Sequence, residues 1–298
     1  MSKVHFIQTN PTSTSSAARV NSGQQHVNLE QSLPRIAIHY GDGPGRGEIT
    51  RMMLAMAGIS YDDFRYPGNE FAAITKPDPT NKEDPTNGSP FPFNQMPALQ
   101  VNGIMYAQTS SIARFAARLA NLYPADVIMQ LKSDQIFEHT GDIQYSTTPL
   151  FMDGVPGRAG TTMRPKEERE KAFQQWSVEK LPVMMSQLEH LLEPSGFFIG
   201  NSLSWADVSV FNRLENLNGV AKVYGVEVLN SYPIMKKHSE MVASIPSVKA
   251  YLNARNAMME KHGMSNKSSG TYGKPGHYKI TSTTSPNVHI NIEYVGGM

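Results

Sequence analysis

Cysteine is absent from all 298 residues. That excludes disulfides, thiolate metal sites and any mechanism with an enzyme thiol, so thiol chemistry here would have to use a thiol carried by a ligand. Net charge is also nearly absent: 27 Lys+Arg stand against 26 Asp+Glu. No dense basic run is present to neutralise a phosphate backbone, which argues against nucleic acid as a partner. No apolar run approaches the roughly 20 residues that span a bilayer, and the N-terminus lacks the charged-then-apolar pattern of a secretory signal. A cytoplasmic chain with no membrane partner is the expectation. Residues 1–33 are rich in Ser, Thr, Asn and Gln with few acids and too few arginines to argue for organelle targeting, and they read as a disordered extension.

Order begins at Arg35. Ile36, Ile38 and Tyr40 alternate with Arg35, Ala37 and His39, the pattern of a half-buried strand. The strand runs into the turn Gly41-Asp42-Gly43-Pro44-Gly45, after which Ile49, Met52, Met53, Met56 and Ala57 fall at helical spacing with Gly58 as a C-terminal cap. Tyr61 to Tyr66 reads as a second strand. A Pro- and Asn-rich loop, 77–94, follows and contains Asp-Pro-Thr-Asn twice. Then come Ala98 to Val101, the hairpin turn Asn102-Gly103, and the returning strand Ile104 to Tyr106. A helix from Thr109 carries Ile112, Phe115, Ala116 and Leu119 on one face.

The order β-α-β-β-α, with room for a further helix in 67–94, fits a small mixed sheet of thioredoxin type. Beyond Pro124 strand signals vanish and helical stretches follow near 125–145, 165–193, 205–222, 230–244 and 246–262, with Pro182 expected to divide the second. Ser204-Trp-Ala-Asp207 has capping-box spacing. The expected division is therefore a disordered extension (1–33), an α/β thioredoxin-like domain (34–122), an all-helical domain (123–263) and a C-terminal extension (264–298) in which 278–281 and 288–295 alternate like strands.

Tyr40 taken alone reads more readily as a core tyrosine at a strand end than as a functional phenol. The run His39-Tyr40-Gly-Asp-Gly-Pro-Gly45-Arg46-Gly47-Glu48 resembles the start of alpha- and sigma-class cytosolic glutathione transferases. So do Gln95-Met96-Pro97 and Gln108-Thr109-Ser110-Ser111-Ile112-Ala113-Arg114, in the same order along the chain. Gly196-Phe-Phe-Ile-Gly200-Asn-Ser-Leu-Ser-Trp-Ala-Asp207 and the later Ser231-Tyr-Pro … Ile245-Pro-Ser-Val resemble that family's fold motifs.

The resemblance implies a glutathione-binding thioredoxin-like domain and glutathione as co-substrate, with Tyr40 as hydrogen-bond donor to its thiol and no metal. Arg46 would then orient Tyr40 or meet a carboxylate, and Gln95, Met96 and Pro97 would hold the cysteinyl part. Gln108 and Thr109 would hold the γ-glutamyl end at a helix N-terminus, and Phe71 and Lys76 would stand near the glycine carboxylate. Asp134 would reach the glutathione of the neighbouring subunit in a homodimer. The second substrate would be a small-molecule electrophile, with Met129, Phe137, Tyr145 and Tyr224 as residues that could line its pocket or equally serve the core. A glutathione-dependent isomerase of the prostaglandin D synthase kind, and a non-catalytic scaffold like the lens crystallins of squid, are the other functions that the resemblance leaves open.

Overall fold

The computed structural model describes residues 33–41, 43–67, 70, 74–75, 78, 80–84, 88–151, 165–262, 276–283 and 288–296. Strand β1 (Ile36–Gly41), helix α1 (Glu48–Met56) and strand β2 (Tyr61–Tyr66) come first. A 3-10 turn (Pro92–Asn94) leads into the hairpin β3 (Ala98–Val101) and β4 (Ile104–Ala107), and α2 (Thr109–Leu119) closes this half. The helical half comprises α3 (Val127–Phe151), α4 (Lys166–Glu179), α5 (Leu181–Leu191), α6 (Trp205–Ala221), α7 (Pro233–Ser244) and α8 (Pro246–Lys261). Two further strands, β5 (Gly276–Thr283) and β6 (His289–Gly296), follow.

The helical crossover α1 makes β1 and β2 parallel, in register Ala37 with Asp62 through Gly41 with Tyr66. Every other pair is antiparallel. Asn102 and Gly103 both take positive φ, 50° and 90°, as a tight hairpin turn of this twist requires. The second helix of the helical half does divide at Lys180, with Pro182 in the first turn of α5 where its missing amide hydrogen is not needed. Asp207 accepts from the Ser204 amide at 2.8 Å and the Ser204 hydroxyl at 2.7 Å, so the box spacing does cap α6.

Strand β1 differs from the half-buried pattern. Ile36, Ala37, Ile38 and His39 are all buried. The helices cover one face, and an aromatic group covers the other, with His39 stacked on Phe64 at 4.7 Å and Phe91 set 5.6 Å away. A polar residue at the alternate position therefore marks a second interior rather than solvent.

The strand signals near 278 and 288 are a hairpin, and its place could not be read from its pattern. It pairs with β2, giving the sheet order β4-β3-β1-β2-β5-β6. Tyr278, Ile280 and Ile290 enter the same core as α1 and α8, and Ser282 donates to the Ala55 carbonyl. Strand β2 would otherwise present a row of unpaired amides and carbonyls, and the hairpin satisfies them. A second core lies inside the helical half, built on Phe173, Trp176, Leu188, Phe198 and Leu214.

Candidate active site

Tyr40 stands at the end of β1, and the chain then wraps around its ring. A methyl group on Gly45, where φ is +36°, would lie 2.5 Å from the Tyr40 hydroxyl, and one on Gly47 would lie 2.9 Å from the ring carbons. Only glycine permits this approach. The Arg46 amide donates to the Tyr40 hydroxyl oxygen at 3.1 Å, and a phenol that accepts in this way becomes a better donor of its own proton.

Arg51 fixes the turn from beneath. Its guanidinium donates to the carbonyls of Gly43 (3.0 Å) and Gly41 (3.4 Å), and to Asp63 on β2 (2.9 Å). Arg65 donates to the other oxygen of Asp63 at 2.7 Å. Burial alone would raise the Asp63 carboxyl, but Arg51 and Arg65 overcome this and hold it below its ordinary value. Glu48 is likewise pushed up by burial and pulled below its ordinary value by Arg255, Arg51 and Arg65. Tyr251 and Arg255 of α8 both donate to Glu48, at 2.8 and 3.1 Å, so the charge group that supports the turn also ties it to the helical half.

Above the turn opens a cavity of about 430 Å³. Its sheet-half wall includes Gly45, Arg46, Gln95, Met96, Pro97, Gln108, Thr109 and Ser110; its helical wall includes Phe137, Gln144, Tyr145, Ser209, Asn212 and Arg213. The Met96–Pro97 peptide is cis. Gln108 sits at φ 74°, a conformation that side chains rarely adopt, and donates to Gln95 at 3.1 Å. Among the described residues no side chain caps the N-terminus of α2, and its first turn carries no acid. That end therefore faces the cavity with amides and positive potential available for a carboxylate.

Six of the expected site residues, Arg46, Gln95, Met96, Pro97, Gln108 and Thr109, thus line one cavity. Tyr40 lies directly under its Gly45–Arg46 rim rather than among the lining side chains. Asp134 is not part of the lining; it accepts from Arg114 at 3.2 Å and Tyr123 at 3.1 Å. Phe71 and Lys76 lie outside the described residues. Of the four apolar candidates, Phe137 and Tyr145 line the cavity, and the Arg46 guanidinium lies 4.9 Å over the Tyr145 ring. Met129 is not among the lining residues, and Tyr224 stacks on Phe173 in the helical core. Sequence reasoning missed Gln144, Ser209, Asn212 and Arg213. The available signal was an arginine inside the otherwise apolar spacing of Val210, Phe211, Leu214 and Leu217. Among the described residues, no group of three or more potential metal ligands occurs, and no helix is long and apolar enough to cross a membrane.

Comparison with known proteins bears on the fold. A family model described as glutathione S-transferase, C-terminal domain, matches residues 158–255. A glutathione S-transferase of Plasmodium falciparum is 26% identical over 230 residues, 74% of this chain and 96% of that protein. The hematopoietic prostaglandin D synthase of Gallus gallus is 26% identical over 223 residues, covering 75% and 98%. The solved structure of NaGST-2 matches with a TM-score of 0.60 at 24% identity, covering 75% of this chain and 98% of that one. The fold is a thioredoxin-like sheet half followed by a helical half. The fold is that of the cytosolic glutathione transferases, and residues 158–255 match their C-terminal domain.

Proposed function

We propose that this chain is a glutathione transferase of the tyrosine type, conjugating glutathione to small electrophiles. The observation that carries the reading is the convergence of Arg46, Gln95–Pro97 and the uncapped N-terminus of α2 on one cavity above the Tyr40 hydroxyl. An acidic tripeptide needs donors at its carboxylates and a donor beside its thiol, and those are the groups present.

In this reading Tyr40 donates to the glutathione sulfur and favours its thiolate, whose proton is lost to solvent. The sulfur then attacks an electrophilic carbon. A carbon–sulfur bond forms and the leaving group departs with its electron pair. Arg46, with its positive charge at the rim, favours the anion, and the helical wall holds the electrophile. The chain acts in the cytosol as a homodimer, with Asp134 serving the neighbouring subunit's glutathione.

The likeness to the chicken prostaglandin D synthase favours one second reading, a glutathione-dependent isomerase, because the same thiolate can open a peroxide ring without being consumed. The test is titration of purified protein with glutathione, followed by turnover assays with aryl halides, organic peroxides and a prostaglandin endoperoxide. Binding with conjugation is expected. Absence of glutathione binding contradicts the reading, and turnover of the endoperoxide alone supports the isomerase.

A further inference from the structure

Four buried arginines can be compared within this one molecule. Arg51 and Arg65 share Asp63, and Arg255 pairs with Glu48 and Glu215. Arg213 of α6 is buried as deeply as Arg255, at 8% exposure, and lines the cavity. Among the described residues it has no carboxylate partner. Its one hydrogen bond among the described residues goes to a neutral oxygen, Gln144 Oε1 at 2.6 Å, and its Nε, like that of Arg255, has no partner there. The acid that also lines the cavity, Glu138, is exposed and makes no ion pair with it.

Burying a guanidinium without a counter-charge costs several kcal/mol, and buried charges are ordinarily paired. The electrostatics point the same way. Burial, reinforced by the charge of Arg46 and only partly opposed by Tyr40, lowers Arg213 to about 10, whereas Arg51 and Arg255 are both raised by their carboxylates.

We propose that Arg213 is the anchor for a carboxylate on the second substrate, so that this cavity selects electrophiles carrying an anionic group. Glutathione has carboxylates of its own, but the groups assigned to it come from the sheet half. Arg213 stands on the helical wall with Gln144, Ser209, Asn212, Phe137 and Tyr145, where an aromatic or aliphatic body can lie on the two rings while its carboxylate meets the guanidinium. The planar fork of the guanidinium suits that group. The reaction class still rests on the transferase reading; the binding preference does not.

The test compares a dinitrobenzoate with the matching neutral dinitrobenzene by calorimetry, on the full chain as wild type, Arg213→Met and Arg213→Lys. Wild type should prefer the benzoate. Arg213→Met should reduce the benzoate-over-neutral ratio roughly ten- to a hundredfold, the worth of a charge-assisted hydrogen bond, and Arg213→Lys should keep part of it. Because the methionine removes an unpaired buried charge, its melting temperature should equal or exceed that of wild type. Equal weakening of both ligands, a wild type without preference, or a glutathione affinity that falls as far as the benzoate's would each overturn the anchor role. A fall in melting temperature like that of Arg51→Met would overturn it too. Failure of the transferase reading shows separately, as wild type that does not bind glutathione while the benzoate ratio is still read.

Discussion

Gly45 and His39 show how much single residues next to Tyr40 decide. Gly45→Ala places a methyl group 2.5 Å from the Tyr40 hydroxyl at a φ of +36°, so either the turn or the phenol must move. We expect a fall in kcat/KM for conjugation together with a stability loss of about 1–3 kcal/mol; unchanged kinetics would show that the wrap around the ring does not matter. His39 is held neutral, since burial lowers it to about 4 and Asp63 only partly opposes this. The unfolded chain takes up a proton near pH 6.5 that the folded one refuses. Stability therefore falls as pH drops from about 6.5 to about 4, by on the order of 3 kcal/mol. Urea midpoints measured across that window should flatten in His39→Phe, which keeps the stack on Phe64; an identical slope in both proteins would remove His39 as the cause.

Among the elements, the C-terminal hairpin has the largest consequence. Strands β5 and β6 cover the free side of β2 and bury Tyr278, Ile280 and Ile290 against α1 and α8. Each such side chain contributes roughly 1.5–3 kcal/mol when buried. Ending the chain after residue 262 should lower the denaturation midpoint and promote association through the bared β2 edge, read by urea unfolding and light scattering. A midpoint equal to that of the full chain would contradict this. The local record of this element was legible, because β5 alternates buried and exposed residues; its partner was not, since alternation says which face is apolar but not which strand lies alongside. The same limit explains β1, whose His39 faces an aromatic interior formed by residues 25 and 52 positions further on, Phe64 and Phe91. It also explains the helical wall. Tyr40, Arg46, Met96-Pro97 and Gln108 were legible because close backbone approaches demand particular residues in short runs. Gln144, Ser209 and Arg213 meet only through the packing of α3 on α6, which no short run encodes.

At the scale of the whole molecule, Pro34 onward forms one compact unit, and the charge group of Glu48, Arg51, Asp63 and Arg255 joins its sheet and helical halves beneath the site. Arg51→Met leaves Asp63 buried with Arg65 as its remaining cation and releases two carbonyls of the Tyr40 turn. A loss of about 3–5 kcal/mol is expected, with activity falling further than the remaining folded fraction explains; full activity in the folded fraction would limit Arg51 to stability. What the site does above this support is measured most directly by the ionisation of bound glutathione, followed through the ultraviolet absorbance of its thiolate as pH is raised, in wild type and Tyr40→Phe. In wild type the bound thiol should ionise at least about one pH unit below the free value of about 8.5, and in Tyr40→Phe it should return towards that value while glutathione still binds. Identical ionisation in the two proteins would contradict the role given to Tyr40.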